Sequence, residues 1–146
     1  MTESTGKTGR GVTIEIESPE SPTSWVKIGN VTGITPSGKN AEEIDFTHLE
    51  SDNAYREFRQ GFKDPGTLGI NYHFDPTNAS HVDLLEHFNA GNLFNWRINF
   101  SGAGWSKYLQ GRGFVQNPGD IDINVDGPIT GAATIRCTGD STFADV

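Results

Sequence analysis

A single cysteine, Cys137, stands among 146 residues, so no disulfide can close within the chain. Such a chain suits a reducing compartment or is indifferent to redox state. Long apolar runs are missing too: nothing approaches the roughly 20 consecutive residues of a membrane-spanning helix. The opening stretch MTESTGKTGRG lacks the apolar centre of a secretory signal. These absences lead us to expect folding in a cytoplasm, with no membrane association. Base is scarce. Eleven Lys and Arg face 19 Asp and Glu, for a formal net charge of −8. That argues against reading a nucleic-acid sequence, which normally takes a basic face, and against an anionic membrane surface.

Catalytic and metal-binding patterns are also absent or incomplete. Gly6-Lys7-Thr8 resembles the end of a phosphate loop, but the preceding glycine and strand are missing. No G-x-S-x-G elbow occurs. Asp120, Asp122, Asn124 and Asp126 imitate the first positions of a calcium loop, yet Val125 and Gly131 stand where glycine and a bidentate glutamate are required. The isoleucines between those acids fit a strand with oxygens on one face and a core on the other. His81 and His87 lie six apart on an expected helix, on different faces, and do not form an i, i+4 chelate. Cys137 alternates with Ala133 and Ile135 and reads as a small core residue. Asn78-Ala79-Ser80 matches a glycosylation acceptor, which is idle without secretion. We expect no enzyme, no cofactor and no metal.

What is present is β pattern. A chain of this length buries roughly 68–70% of its unfolded surface, enough for one domain over residues 11–146 behind a flexible arm at 1–10. Val12, Ile14 and Ile16 alternate with polar residues, as do Leu68, Ile70, Tyr72 and Phe74. Residues 25–34 read as a hairpin turning at Gly29-Asn30. Further strands are expected at 94–100, 105–110, 113–116, 120–126 and 129–138, with a turn at Asn117-Pro118-Gly119. Phe94, Trp96 and Phe100 are assigned to the core. Trp25 and Trp105 could be core or contact surface, and a sugar-binding aromatic platform stays open on their account. One helix is expected over about 81–90. Ser80 caps it with Asp83, Val82, Leu84, Leu85 and Phe88 form its apolar stripe, and Gly91 stops it. Short strands, glycine and proline turns and one helix predict a mainly β fold, a sandwich or barrel of antiparallel strands with a flanking helix.

Residues 42–66 break the pattern. They open with Glu42, Glu43, Asp45, Glu50 and Asp52, then turn basic at Arg56, Arg59 and Lys63 against a single Glu57. Phe46, Leu49, Tyr55, Phe58 and Phe62 are too many apolar side chains for an idle loop. Connections longer than about 12–15 residues with little regular structure are usually functional or disordered, and the apolar content argues against disorder. A loop packed within its own domain is the alternative.

An ordered series of segments resembles a known family. It runs Trp25-Val26-Lys27-Ile28-Gly29-Asn30-Val31-Thr32-Gly33-Ile34, then Ala41-Glu42-Glu43-Ile44-Asp45-Phe46-Thr47-His48-Leu49-Glu50-Ser51. Arg56-Glu57-Phe58, Gly61-Phe62-Lys63-Asp64-Pro65-Gly66, Asn71-Tyr72, the helix at 78–91, Trp96-Arg97-Ile98 and the closing residues 133–139 follow. Over about residues 11–142 the chain is similar to the tail tube (major tail) proteins of long-tailed, non-contractile bacteriophages, the lambda-like family. The resemblance implies hexameric rings stacked into a hollow tube through which DNA passes without sequence-specific binding. It implies a structural role in a virion tail, assembled in a bacterial cytoplasm. A gene transfer agent tail would look the same. Implied partners are further copies, a tail tip or initiator, a ruler and a terminator. The immunoglobulin-like domain that often follows in the family is expected to be absent.

On that reading residues 36–66 form an assembly arm. Phe46, Leu49, Tyr55, Phe58 and Phe62 would supply a desolvated contact centre, and Arg56, Arg59 and Lys63 the charge that sets register. The arm is expected to be mobile in the free subunit. Glu42, Glu43, Asp45, Asp120, Asp122 and Asp126 are candidates to line the bore, where carboxylates repel phosphates.

Overall fold

The computed structural model describes residues 4–21 and 23–145. The expected N-terminal arm therefore lies partly, at residues 1–3, outside the described residues. The strands are β1 (Thr13–Glu17), β2 (Trp25–Lys27), β3 (Val31–Ser37), β4 (Asn40–Asp45), β5 (Phe58–Asp64), β6 (Thr67–His73), β7 (Phe94–Asn99), β8 (Lys107–Asp122) and β9 (Thr130–Asp145). Helix α1 (Ala79–Ala90) lies between β6 and β7. Seven strands form one antiparallel sheet in the order β2-β1-β7-β8-β9-β6-β3. β4 and β5 form a separate two-stranded sheet. The mainly β fold with one helix is as the sequence predicts.

The sheet curls because its two outermost strands are neighbours in sequence. β2 and β3 are joined by residues 28–30 alone, so the edges must approach. Ile28 N–H donates to Ile14 O at one side (3.0 Å), and Asn30 O accepts from His73 N–H at the other (2.9 Å). Inside the curl the register sets apolar rows across strands: Ile14 opposite Ile98 and Ile16 opposite Trp96, and Ile70 opposite Ala133 and Leu68 opposite Ile135. All eight are buried, with Tyr72, Phe94, Val115 and Cys137. Gly111 lies opposite Trp96 because the indole fills the space a side chain would take. A Cβ there would stand 2.6 Å from Trp96 Cζ2.

Four expectations are corrected. Residues 25–34 are not a hairpin: β2 pairs with β1 and β3 with β6. The alternation on either side of Gly29-Asn30 is met by two different partners, and the turn spans the closing seam. Residues 107–122 are one strand, not three. Bulges between Gln110 and Arg112, Val115 and Asn117, and Asn117 and Asp120 absorb the glycines and Pro118. Ile121, Ile123 and Val125 do not face a core; they are exposed at the end of β8 and in the turn after it.

The fourth correction concerns α1. Asn78, not Ser80, caps it, accepting from Ser80 N–H at 3.0 Å. Ser80, His81, Leu84 and His87 face the sheet, while Val82, Leu85 and Phe88 stay 42–48% exposed. Hydrogen bonds to the sheet hold this orientation. Ser80 Oγ accepts from Gly29 N–H (3.0 Å), His81 Nε2 meets Gly29 O (2.8 Å) and His87 Nε2 meets Glu17 O (2.7 Å). Both histidines thus face inward, each held by a backbone carbonyl. Each such bond is worth about 0.5–1.5 kcal/mol net but costs more if left unmade in a buried site. Full burial of each outward side chain would be worth about 1.5–3 kcal/mol. The helix therefore leaves substantial apolar burial unrealised in the isolated subunit.

Gly111→Val is expected to lower stability by about 1–3 kcal/mol through overpacking against Trp96. Urea unfolding should show an earlier midpoint at unchanged slope, while the exposed neighbour Gln110→Val stays within about 0.5 kcal/mol of the parent.

Candidate assembly surface

β4 and β5 leave the body as an arm. In the register Asn40 lies opposite Asp64, Ala41 opposite Lys63, Glu43 opposite Gln60, Ile44 opposite Arg59 and Asp45 opposite Phe58. The expected irregular loop is thus a hairpin with a bulge between Ala41 and Glu43. Glu42, Ile44 and Phe46 lie towards one face with Arg59 and Gly61. Ala41, Glu43 and Asp45 lie towards the other with Phe58, Gln60 and Lys63.

The root of the arm is clamped. Arg136 Nη2 straddles both oxygens of Asp64 at 2.9 and 3.0 Å, and Arg136 Nη1 donates to Gly66 O at 3.3 Å. Cys137 N–H also donates to Gly66 O, at 3.0 Å. Lys39 reaches Asp140 on β9 at 3.1 Å. Gly66 turns the chain back with φ +84, and a Cβ on it would lie 2.1 Å from Ser37 O, so no other residue fits. Hydrogen bonding by Arg136, and then by Gly66 N–H, holds the Asp64 carboxyl below the ordinary carboxylate range.

Beyond the root the arm stands in solvent. No described residue of 40–64 is buried, so the alternative of a loop packed inside its own domain does not hold. Leu49 is fully exposed and Phe62 is 89% exposed; Phe46, Tyr55 and Phe58 are at least half exposed. The tip ties itself together. Ser51 Oγ donates to Glu57 Oε2 (2.8 Å), Thr47 Oγ1 accepts from Glu57 N–H (2.9 Å), and His48 Nδ1 lies 2.8 Å from Glu57.

Charge segregation along the sequence becomes two facing strands, acidic β4 beside basic β5. Part of the charge is met within the arm. Arg56 sits 3.5 Å from Asp45, whose carboxyl is also held low by hydrogen bonds from Thr47. Arg59 lies over the Phe46 ring, 4.9 Å from its centroid. Among the described residues neither Arg59 nor Lys63 has a carboxylate within ion-pair distance.

The six acidic candidates fall into two groups. Glu42, Glu43 and Asp45 are on the arm. Asp120 and Asp122 close β8, level with Asn71 and His73 at the far end of β6, and Asp126 is in the turn that follows. Six residue steps along β6 separate the two ends, about 20 Å. The outward apolar face of α1 is a surface that sequence reasoning missed. Its helical spacing was visible, but spacing does not say which way a helix is turned.

Among the described residues no group of three His, Cys, Asp or Glu could hold a metal, and no helix is long and apolar enough to cross a membrane. Burial pushes the Cys137 thiol up, towards an unreactive form. Trp25 is covered by Arg97, 4.2 Å from its ring centroid, and Trp105 packs edge-on against Phe100. Both stay partly exposed, at 38% and 43%.

The family model described as "Phage tail tube, TTP, lambda-like" matches residues 9–111 of the 146. The chain belongs to the lambda-like phage tail tube family. It is a structural component of a virion or virion-like tail and not an enzyme. No curated protein matches its sequence. Its fold is similar to the tail of an empty gene transfer agent particle refined with C6 symmetry, at TM-score 0.76 and 18% identity, over 95% of this chain and 99% of that one. It is likewise similar to a chain of the native gene transfer agent virion (TM-score 0.73, 17% identity, 95% and 99% covered). A third likeness is to the SPP1 tail tube (TM-score 0.69, 12% identity, 97% and 80% covered).

The root clamp generates a pH expectation for this tail tube protein. The folded pKa of Asp64 is depressed, so its contribution is present above the unfolded carboxylate's pKa. It is lost as pH falls through the lower folded value. An NMR titration of the Gly66 amide should be flat from neutral pH to about pH 5 and move only in stronger acid. Asp64→Asn should abolish that acid step.

Proposed function

We propose that the subunit polymerises as hexameric rings stacked into a hollow tail tube, and that the hairpin arm grips the neighbouring subunit and the next ring. One observation carries this reading: a two-stranded hairpin that leaves its apolar side chains in water. An isolated hairpin of two strands is marginal in water, so this one gains its stability from what it touches. A head-to-tail contact closes rings laterally and propagates axially into filaments. The C6 symmetry of the gene transfer agent tail with the same fold supports rings of six. Phe46, Leu49, Tyr55, Phe58 and Phe62 form the contact centre, with Arg56, Arg59 and Lys63 setting register.

DNA crosses the bore without sequence-specific binding. Six copies carry six times the −8 formal charge of one chain, and an acidic lumen repels phosphates. Glu42, Glu43, Asp45, Asp120, Asp122 and Asp126 are the candidates for it. A tail tip or initiator starts the tube, a ruler sets its length and a terminator ends it. The particle is a phage or a gene transfer agent.

Negative-stain microscopy of concentrated protein, alone or seeded with a tail tip, should show regular tubes; lone globules under both conditions overturn the reading. Arg59→Glu should give a folded, soluble subunit that forms no tubes. Hydrogen exchange across 42–64 should be fast in the subunit and slow in the tube, because the hairpin orders on assembly. Equal protection in both states counts against the arm.

A further inference from the structure

An arm that grips needs a surface to grip, and the opposite end of the subunit offers one. Between α1 and the end of β8 lies a groove of about 320 Å³ lined by Tyr72, Phe74, Pro76, Val82, Leu85 and Ile121. It opens beside the outward face of α1, where Val82, Leu85 and Phe88 stand in solvent. Ile123 and Val125 extend the apolar surface along the β8–β9 turn, and Val125 is fully exposed. The end of β8 carries Asp120 and Asp122, and the turn carries Asp126. Asp120 accepts from Asn117 Nδ2 (3.1 Å) and Asp122 from Asn124 Nδ2 (3.2 Å). Among the described residues none of the three has a cationic partner within ion-pair distance. The surface is thus an apolar groove on the Ile121 face of β8, edged by the unneutralised carboxylates of Asp120 and Asp122 that alternate onto the strand's other face.

We infer that this groove and its acidic turn receive the hairpin arm of a second copy of the chain. The inference rests on reading the arm as an assembly element and names the surface the arm binds. Charge complementarity selects the occupant. The arm brings exposed leucine, tyrosine and phenylalanine side chains together with Arg59 and Lys63, neither of which has a carboxylate within ion-pair distance among the described residues. The acceptor supplies the reverse: apolar side chains left uncovered and acids left unpaired. Placement gives the contact its direction. The arm leaves the Thr67 end of β6, and the acceptor lies at the His73 end, where Thr130 pairs with both His73 and Asp122. Donor and acceptor at opposite ends make the contact heterologous, so it propagates from copy to copy instead of closing on a dimer. Asp120, Asp122 and Asp126 then hold the next arm and do not line the bore.

Charge exchange tests this. Asp120→Lys with Asp122→Lys, and separately Arg59→Asp with Lys63→Asp, should each fold and fail to form tubes under microscopy. All four substitutions in one chain should restore tubes, because the exchanged charges meet across copies. A second measurement does not depend on those variants. Leu49→Cys with Leu85→Cys, oxidised under tube-forming conditions, should give a ladder of covalent multimers on a non-reducing gel. The parent, whose Cys137 is buried, should give none. Tubes in the parent with no rescue and no ladder overturn the acceptor and leave the tube reading standing. If the parent forms no tubes at all, both fall together.

Discussion

Burying a hairpin's side chains takes a second layer, and β4 and β5 have none. The sheet of the body ends at β3 and β2, and the arm adds nothing to its core. Its ladder satisfies the backbone between the two strands but leaves Phe46, Leu49, Tyr55, Phe58 and Phe62 facing water. Hydrogen bonding alone contributes little net stability when water competes for the same groups. The chain has instead invested in the root, where Arg136, Gly66 and Asp64 fix the arm's departure. The subunit sets the direction of the arm and leaves its apolar side chains uncovered.

The body answers the same constraint from its other end. α1 is turned so that serine and two histidines meet the sheet, each with a backbone partner. Gly29 alone serves both Ser80 and His81. The helix therefore fastens the corner where the two edge strands meet, with Leu84 its one buried large apolar side chain and Val82, Leu85 and Phe88 left outside. An inner face with three polar side chains and an outer face with three apolar ones are unlike what a free-standing domain wants. The arrangement makes sense for a building block whose surface becomes interior after assembly.

Much of this was legible in the sequence. Period-two alternation located the core residues of β1, β6, β7 and β9 because each of those strands keeps one buried face. Resemblance supplied the family, and the odd composition of residues 42–66 marked the arm. Pairing was not legible. The alternation at 25–34 says that two strands exist but not that each has a different partner, since that depends on strands far along the chain. The glycines and proline of 111–119 looked like breaks because bulges and turns use the same residues. Ile121, Ile123 and Val125 looked buried because alternation shows which residues share a face, not whether anything covers it. The turn of α1 was hidden for a related reason: histidine and serine become good inner residues only when a backbone corner lies within reach.

The order in which the chain leaves the ribosome gives the root clamp a timing role. The arm is synthesised early, but Arg136 and the Cys137 N–H that anchor it belong to β9, translated some seventy residues later by the separation of Arg136 from Gly66. The seam at residues 28–30 likewise depends on β1 and β6, which join into one sheet only through β7, β8 and β9. The hairpin arm therefore gains its root clamp only after β9 has been translated.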